Sequence, residues 1–167
     1  MKKLYSADIV KQPGRSVTWE TTAGSGSEQL EVNVLYTERR ATAAALKAAQ
    51  SFASGLGACI RLRAVVNVPW RFPLDQSPVS TRFMEEILGD LAIQAEADGA
   101  EVTGHLYLCR DSVEALLQVL KPNSLVVIGG RKHWWPTAAS RMAGALRAKG
   151  HRVAFVDGKE STAGSRR

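Results

Sequence analysis

A doubly wound α/β domain built on a parallel sheet is the fold class this sequence predicts, and three observations predict it. Five short runs rich in Val, Ile and Leu recur between residues 30 and 157, each of strand length. Four stretches with apolar residues at helical spacing lie between them, so strand and helix alternate along the chain. The helical stretches stop at glycines, notably Gly57, Gly99 and Gly150. Each right-handed crossover between parallel strands must lay a helix over one sheet face, which gives a sheet with helices on both sides.

The elements follow in order. LEVNVLYT (Leu30–Thr37) is a strand rich in β-branched residues. RRATAAALKAAQSFASGLG is a helix with Leu46, Ala49, Phe52 and Ala53 on one face, closed by Gly55 and Gly57. ACIRLRAVVNV (Ala58–Val68) is a second strand, where Ile60, Leu62, Ala64 and Val66 alternate with polar neighbours. A long loop, PWRFPLDQSP, holds three of the six prolines. The second helix covers roughly Ser80 to Asp98, with Phe83, Ile87, Leu88, Leu91, Ala92 and Ala95 as its apolar stripe. EVTGHLYLC (Glu101–Cys109) is the third strand. Asp111, followed three residues later by Glu114, opens a short helix through Leu120 as a capping box would. KPN turns the chain into LVVI, an apolar run suited to burial on both faces. The fourth helix runs from about Thr137 to Lys149, with Met142 and Leu146 inward, and RVAFV is the fifth strand.

Composition bounds the function. At 167 residues the chain is long enough for one domain with a real core, and 45% hydrophobic against 23% charged residues excludes general disorder. Residues 1–29 end in the linker-like TTAGSGSEQ and read as an N-terminal tail, with a short extended piece at SVTW. Residues 30–157 form the domain, and 158–167 read as a disordered C-terminal tail. The net charge of +6 is spread over all three segments, leaving +3 for 30–157. That excess is too mild for a nucleic-acid-binding face, so no nucleic acid is expected as a partner. No run is long enough for a membrane span or a signal peptide, so a cytoplasmic protein is expected. Cys59 and Cys109 fall in apolar strands and read as buried, reduced thiols. His105, His133 and His151 lack metal-ligand spacing, and no Walker loop, GxSxG elbow or paired-carboxylate motif appears; no metal, no catalytic residue and no catalysis are expected.

The segment VVIGGRKHWWPTAAS (Val126–Ser140) carries the functional question. A strand running through two glycines into a helix start, with Arg131, Lys132, Thr137 and Ser140 nearby, is suited to hold an anion at the helix N-terminus. The plainer alternative is a strand-to-helix turn in which Pro136 or Thr137 simply begins the helix. Trp134 and Trp135 fit filling of a crevice or a protein contact better than stacking on a base.

With its first strand and Ala-rich helix, its long loop after the second strand and the ending VVIGG…ASRMAGALRAKGHRVAFV, the segment 30–157 resembles the universal stress protein family. The resemblance implies an adenine nucleotide alpha hydrolase-like fold: a five-stranded parallel sheet in the order 3-2-1-4-5, with helices on both faces. It places a ligand crevice between the carboxyl ends of the first and fourth strands, where a doubly wound sheet reverses direction. The tryptophan loop is also similar to that of stress-protein-like cytoplasmic domains attached to amino-acid permeases.

The sequence departs from the family where ATP-binding members carry Gly-x2-Gly-x9-Gly-[Ser/Thr]. From Gly129, the next motif positions are Lys132 and Met142; from Gly130 they are His133 and Ala143, with Gly144 one place late. The segment is a few residues short, and aligned from its far end Ala139-Ser140 falls on the Gly-Ser position, so only the hydroxyl remains. Thr37-Glu38 stands where those members usually carry an aspartate. The expectation is a binding or regulatory module with a degenerate nucleotide loop, holding no cofactor. The alternative is an atypical ATP or AMP binder of low affinity, using Thr37, Glu38, Gly129, Gly130, Arg131, Lys132, Thr137 and Ser140. An edge position for the final strand, Arg152–Val156, together with the resemblance, implies a homodimer through that strand, and the aromatic pair Trp134 and Trp135 suggests a contact with a protein partner.

Overall fold

The structure is a computed structural model, and it describes residues 7–12, 14–19, 30–131 and 136–158. Its strands are β1 (Ala7–Gln12), β2 (Gly14–Trp19), β3 (Glu31–Leu35), β4 (Cys59–Asn67), β5 (Val102–Cys109), β6 (Leu125–Gly130) and β7 (Arg152–Asp157). The helices are α1 (Arg39–Leu56), α2 (Thr81–Ala97), α3 (Ser112–Val119) and α4 (Ala138–Ala148). All seven strands join one sheet in the order β1-β2-β5-β4-β3-β6-β7. Counted from β3, the five parallel strands read 3-2-1-4-5, the order that the resemblance implies.

The sheet goes further than that expectation at one edge. SVTW belongs to β2, which pairs antiparallel to β5 from Ser16↔Tyr107 to Trp19↔Gly104, and β1 adds antiparallel to β2. The hairpin thus covers the edge that β5 would otherwise present. At the opposite edge of the described sheet lies β7, paired with β6.

Both sheet faces are packed. On one, α1 and α2 cover Val32, Val34, Ile60, Leu62, Val102, Leu106 and Val127. On the other, α3 and α4 cover Leu35, Val126 and Ile128 with Leu116, Leu120 and Leu146. A fully buried side chain of this size contributes roughly 1.5–3 kcal/mol relative to exposure, so these two layers hold the fold. The inward face of α1 is Ala41, Ala45, Ala49 and Ala53, all buried. A four-residue spacing of so small a residue lets the helix backbone lie close to the sheet.

Two aromatic residues placed inward by helical spacing are in fact exposed. Phe83 is 58% accessible and Met84 is buried instead, because the face of α2 that packs into the core is the one carrying Met84, Leu88, Leu91, Ala92 and Ala95. Phe52, near the end of α1, is 42% accessible beside the buried Ala53. The short helix α3 is capped as expected, with Asp111 Oδ1 accepting from the Glu114 N–H at 2.9 Å. Cys59 and Cys109 are free and buried. Among the described residues no helix is long and apolar enough to cross a membrane.

Candidate functional site

The sheet reverses direction between β3 and β6: the chain leaves β3 for α1 on one face and leaves β6 for α4 on the other. Their carboxyl ends therefore open a crevice of the kind where doubly wound folds bind ligands. Thr37, Glu38, Gly129, Gly130 and Arg131 all meet there, at the ends of the two strands. Thr137 and Ser140 lie at the start of α4, in the next element of the chain. Lys132, His133, Trp134 and Trp135 lie outside the described residues.

Thr37 spans the crevice floor. Its Oγ1 donates to the Gly129 carbonyl at 2.7 Å, while its N–H donates to Thr42 Oγ1 at 3.1 Å. Thr42 is fully buried in the first turn of α1, where its own N–H donates to the Glu38 carbonyl. Glu38 occupies the N-cap position of α1 but makes no capping bond through its side chain. Its carboxylate points instead toward Arg131, with Oε1 and Nε 4.0 Å apart and both side chains more than half exposed. An ion pair so open to water contributes about 0–1 kcal/mol.

The two glycines have a structural occupation. A Cβ on Gly129 would lie 1.9 Å from the Ala41 carbonyl oxygen, so the first turn of α1 rests directly on this residue. A Cβ on Gly130 would lie 2.6 Å from Cζ of Phe155, whose ring fills that side. Gly158 donates to the Gly130 carbonyl at 2.9 Å, and its own missing side chain faces Ala41 as well. Thus the space beside these two glycines is taken, by helix backbone at Gly129 and by an aromatic ring at Gly130.

At the α4 start, Thr137 is the N-cap: its Oγ1 accepts from the Ser140 N–H at 3.1 Å. Ser140 Oγ donates to the Thr137 carbonyl at 2.9 Å. Both hydroxyls serve the helix terminus, where a threonine cap is worth about 1 kcal/mol. Arg131 and Ser140 remain exposed. A helix N-terminus such as that of α4 favours anions. Nearby, burial first of all pushes the Tyr36 phenol up, partly offset by Arg39.

Sequence reasoning missed Ala41 and Thr42, whose alanine-rich surroundings suggested only a packing face. It also missed Arg110. Its guanidinium donates to the carbonyls of Val68, Pro69 and Phe72 and lies 4.8 Å from the ring of Trp70. One arginine thereby fixes the proline-rich loop at the carboxyl end of β4. No group of three or more His, Cys, Asp or Glu side chains among the described residues could hold a metal.

The comparisons bear on this geometry. No protein-family model and no curated protein matches the chain. Solved structures do. A universal stress protein from Archaeoglobus fulgidus superposes with a TM-score of 0.58 at 16% identity, over 76% of this chain and 93% of its own. Its fold is that of the universal stress proteins. The structure of the universal stress protein from Archaeoglobus fulgidus in complex with dAMP matches at a TM-score of 0.55 and 15% identity, over 76% of this chain and 97% of its own. A protein from the universal stress protein family of Burkholderia pseudomallei matches at 0.53 and 18%, over 79% and 98% respectively. The universal stress protein fold accounts for the order of the parallel strands and for the position of the crevice; at such identities it assigns no residue a role.

Proposed function

We propose that this chain is a divergent universal stress protein that works as a binding or regulatory module and not as a catalyst, with a crevice that takes adenine nucleotide weakly or not at all. The carrying observation is the filled glycine pair: the Ala41 carbonyl occupies the space beside Gly129, and Phe155 that beside Gly130. The commitment of the Thr37 hydroxyl to Gly129, and of both Thr137 and Ser140 to the helix cap, supports the same reading. Calorimetry with ATP, ADP and AMP at physiological salt is expected to give dissociation constants on the order of 0.1 mM or weaker. Micromolar affinity that collapses in Ser140→Ala and Arg131→Ala would replace this reading with the second one. In that reading the exposed Arg131 and the α4 start hold a nucleotide phosphate, with Lys132 as a further cation, as the dAMP complex of a protein of this fold makes reasonable.

The partner proposed for the module is first of all a second copy. The last strand, β7, lies at the edge of the sheet formed by the described strands, and edge strands call for covering or pairing. Two copies pairing β7 to β7 would form an isologous two-fold contact. Light scattering at high micromolar concentration is expected to return the mass of a dimer; a clean monomer would remove this claim. Trp134 and Trp135 are the second proposed contact, for a protein partner.

A further inference from the structure

The same sheet carries a second polar cluster, which runs from the start of β3 across β4 and β5. Glu31 opens β3, Arg61 and Arg63 lie in β4, His105 and Tyr107 in β5, and Lys121 follows α3 just before β6. Register places Asn33 beside Arg61 and Arg63 beside His105, so these side chains share the face covered by α3 and α4. But α3 is only eight residues, about 12 Å long. It packs against β4, β5 and α4, and its buried Leu116 joins the apolar cluster with Leu35 and Val126.

Within the cluster Arg63 is 8% exposed. Its Nε donates to Asn33 Oδ1 at 2.7 Å and its Nη1 to the Tyr107 hydroxyl at 2.6 Å. Its Nη2 reaches only Glu31, at 4.0 Å, beyond hydrogen-bond distance. Because Tyr107 accepts from Arg63, its own phenolic proton points elsewhere, and no described residue accepts it. Glu31 is shared among three cations: Arg61 and Lys121 at 3.4 Å each, and Arg63. A buried arginine is costly unless fully compensated, and among the described side chains one carboxylate against three cations leaves both charge and donors in excess. His105 reports the same positive field: burial, then Arg63 and Arg61, hold its pKa near 3.

We propose that this face is a binding site for a small oxyanion, seated between Arg61, Arg63 and Lys121 and accepting hydrogen bonds from Arg63 Nη2 and the Tyr107 hydroxyl. The oxyanion completes the donors that the described residues leave open and balances the two positive charges by which Arg61, Arg63 and Lys121 exceed Glu31. Inorganic phosphate and succinate are the probes, since they separate a phosphoryl from a carboxylate source. Titration followed by NMR and by thermal melting is expected to show saturable binding of at least one of them, weakening with salt. Arg61→Gln combined with Lys121→Ala should lower that affinity about tenfold, and Tyr107→Phe several-fold, as for lost charge-assisted bonds. Arg82→Gln, which removes an exposed charge from α2, should leave it unchanged. Lys121 is largely exposed, so the double variant keeps the test open even if Tyr107→Phe fails to fold. No saturable binding of either probe up to about 50 mM would overturn the proposal, as would an equal loss in Arg82→Gln. The proposed ligands Arg61, Arg63, Tyr107 and Lys121 are not among the residues of the crevice, so neither result depends on nucleotide binding there.

Discussion

Acidification from pH 6.5 to 5 is expected to destabilise the protein by on the order of 2 kcal/mol through His105 alone. In the fold, burial first, then Arg63 and Arg61, lower the pKa of this histidine from 6.5 to about 3. It also stacks on Tyr107, with the ring planes 10° apart. The unfolded chain binds a proton at His105 as pH falls through 6.5, while the folded chain does not until about 3. Between those values the unfolded state holds more protons, so stability rises with pH, by about 1.4 kcal/mol per unit at most. Above 6.5 both states are neutral at this site and its contribution is complete and flat; below about 3 nothing more is lost. His105→Gln removes the titration while keeping a polar side chain. Urea denaturation at pH 7, 6 and 5 should show a shallower loss in the variant than in the natural sequence. Parallel losses in the two proteins would mean that His105 is not held neutral.

The residues around His105 also illustrate what was legible in the sequence. The alternation of Ile60, Leu62 and Ala64 marked β4 and its apolar face, because period-two patterning follows directly from strand geometry. The same alternation leaves the intervening Arg61 and Arg63 looking solvated. Patterning cannot distinguish a polar residue facing water from one closed over by Asn33, Glu31 and Tyr107. Those partners come from β3 and β5, 30 and 44 residues away for the two bonds Arg63 makes. The hairpin β1–β2 was hidden for a related reason: Ala7–Gln12 has no sustained alternation, and its place depends on β2 finding the edge of β5. At the crevice, the positions were legible and their meaning was not. Gly129 reads equally as room for a phosphate or room for a helix, and only the approach of Ala41 decides between them.

That approach makes Gly129→Ala the most damaging single methyl group we expect in the domain, costing about 3 kcal/mol or more. The new Cβ would sit 1.9 Å from the Ala41 oxygen and 2.4 Å from its carbonyl carbon. Both are backbone atoms, so no rotamer change relieves the overlap. The first turn of α1 must lift, and the helix carries Ala45, Leu46, Ala49 and Ala53 in its contact with the sheet. The bond from Thr37 to the Gly129 carbonyl, at 2.7 Å, lies in the same joint and would be strained with it. Gly130→Ala provides the contrast. Its Cβ meets Cζ of Phe155 at 2.6 Å, the far end of a side chain that can turn away, and the expected cost is about 1 kcal/mol. Phe155→Leu should recover part of the Gly130→Ala loss, whereas no side-chain change at Ala41 can recover Gly129→Ala, since a carbonyl stands there whatever the residue. Urea melts of the two glycine variants, with and without Phe155→Leu, measure the difference. Equal losses, or a loss below about 1 kcal/mol for Gly129→Ala, would mean that the glycine is not there for the helix and that the crevice has room to spare for a phosphate.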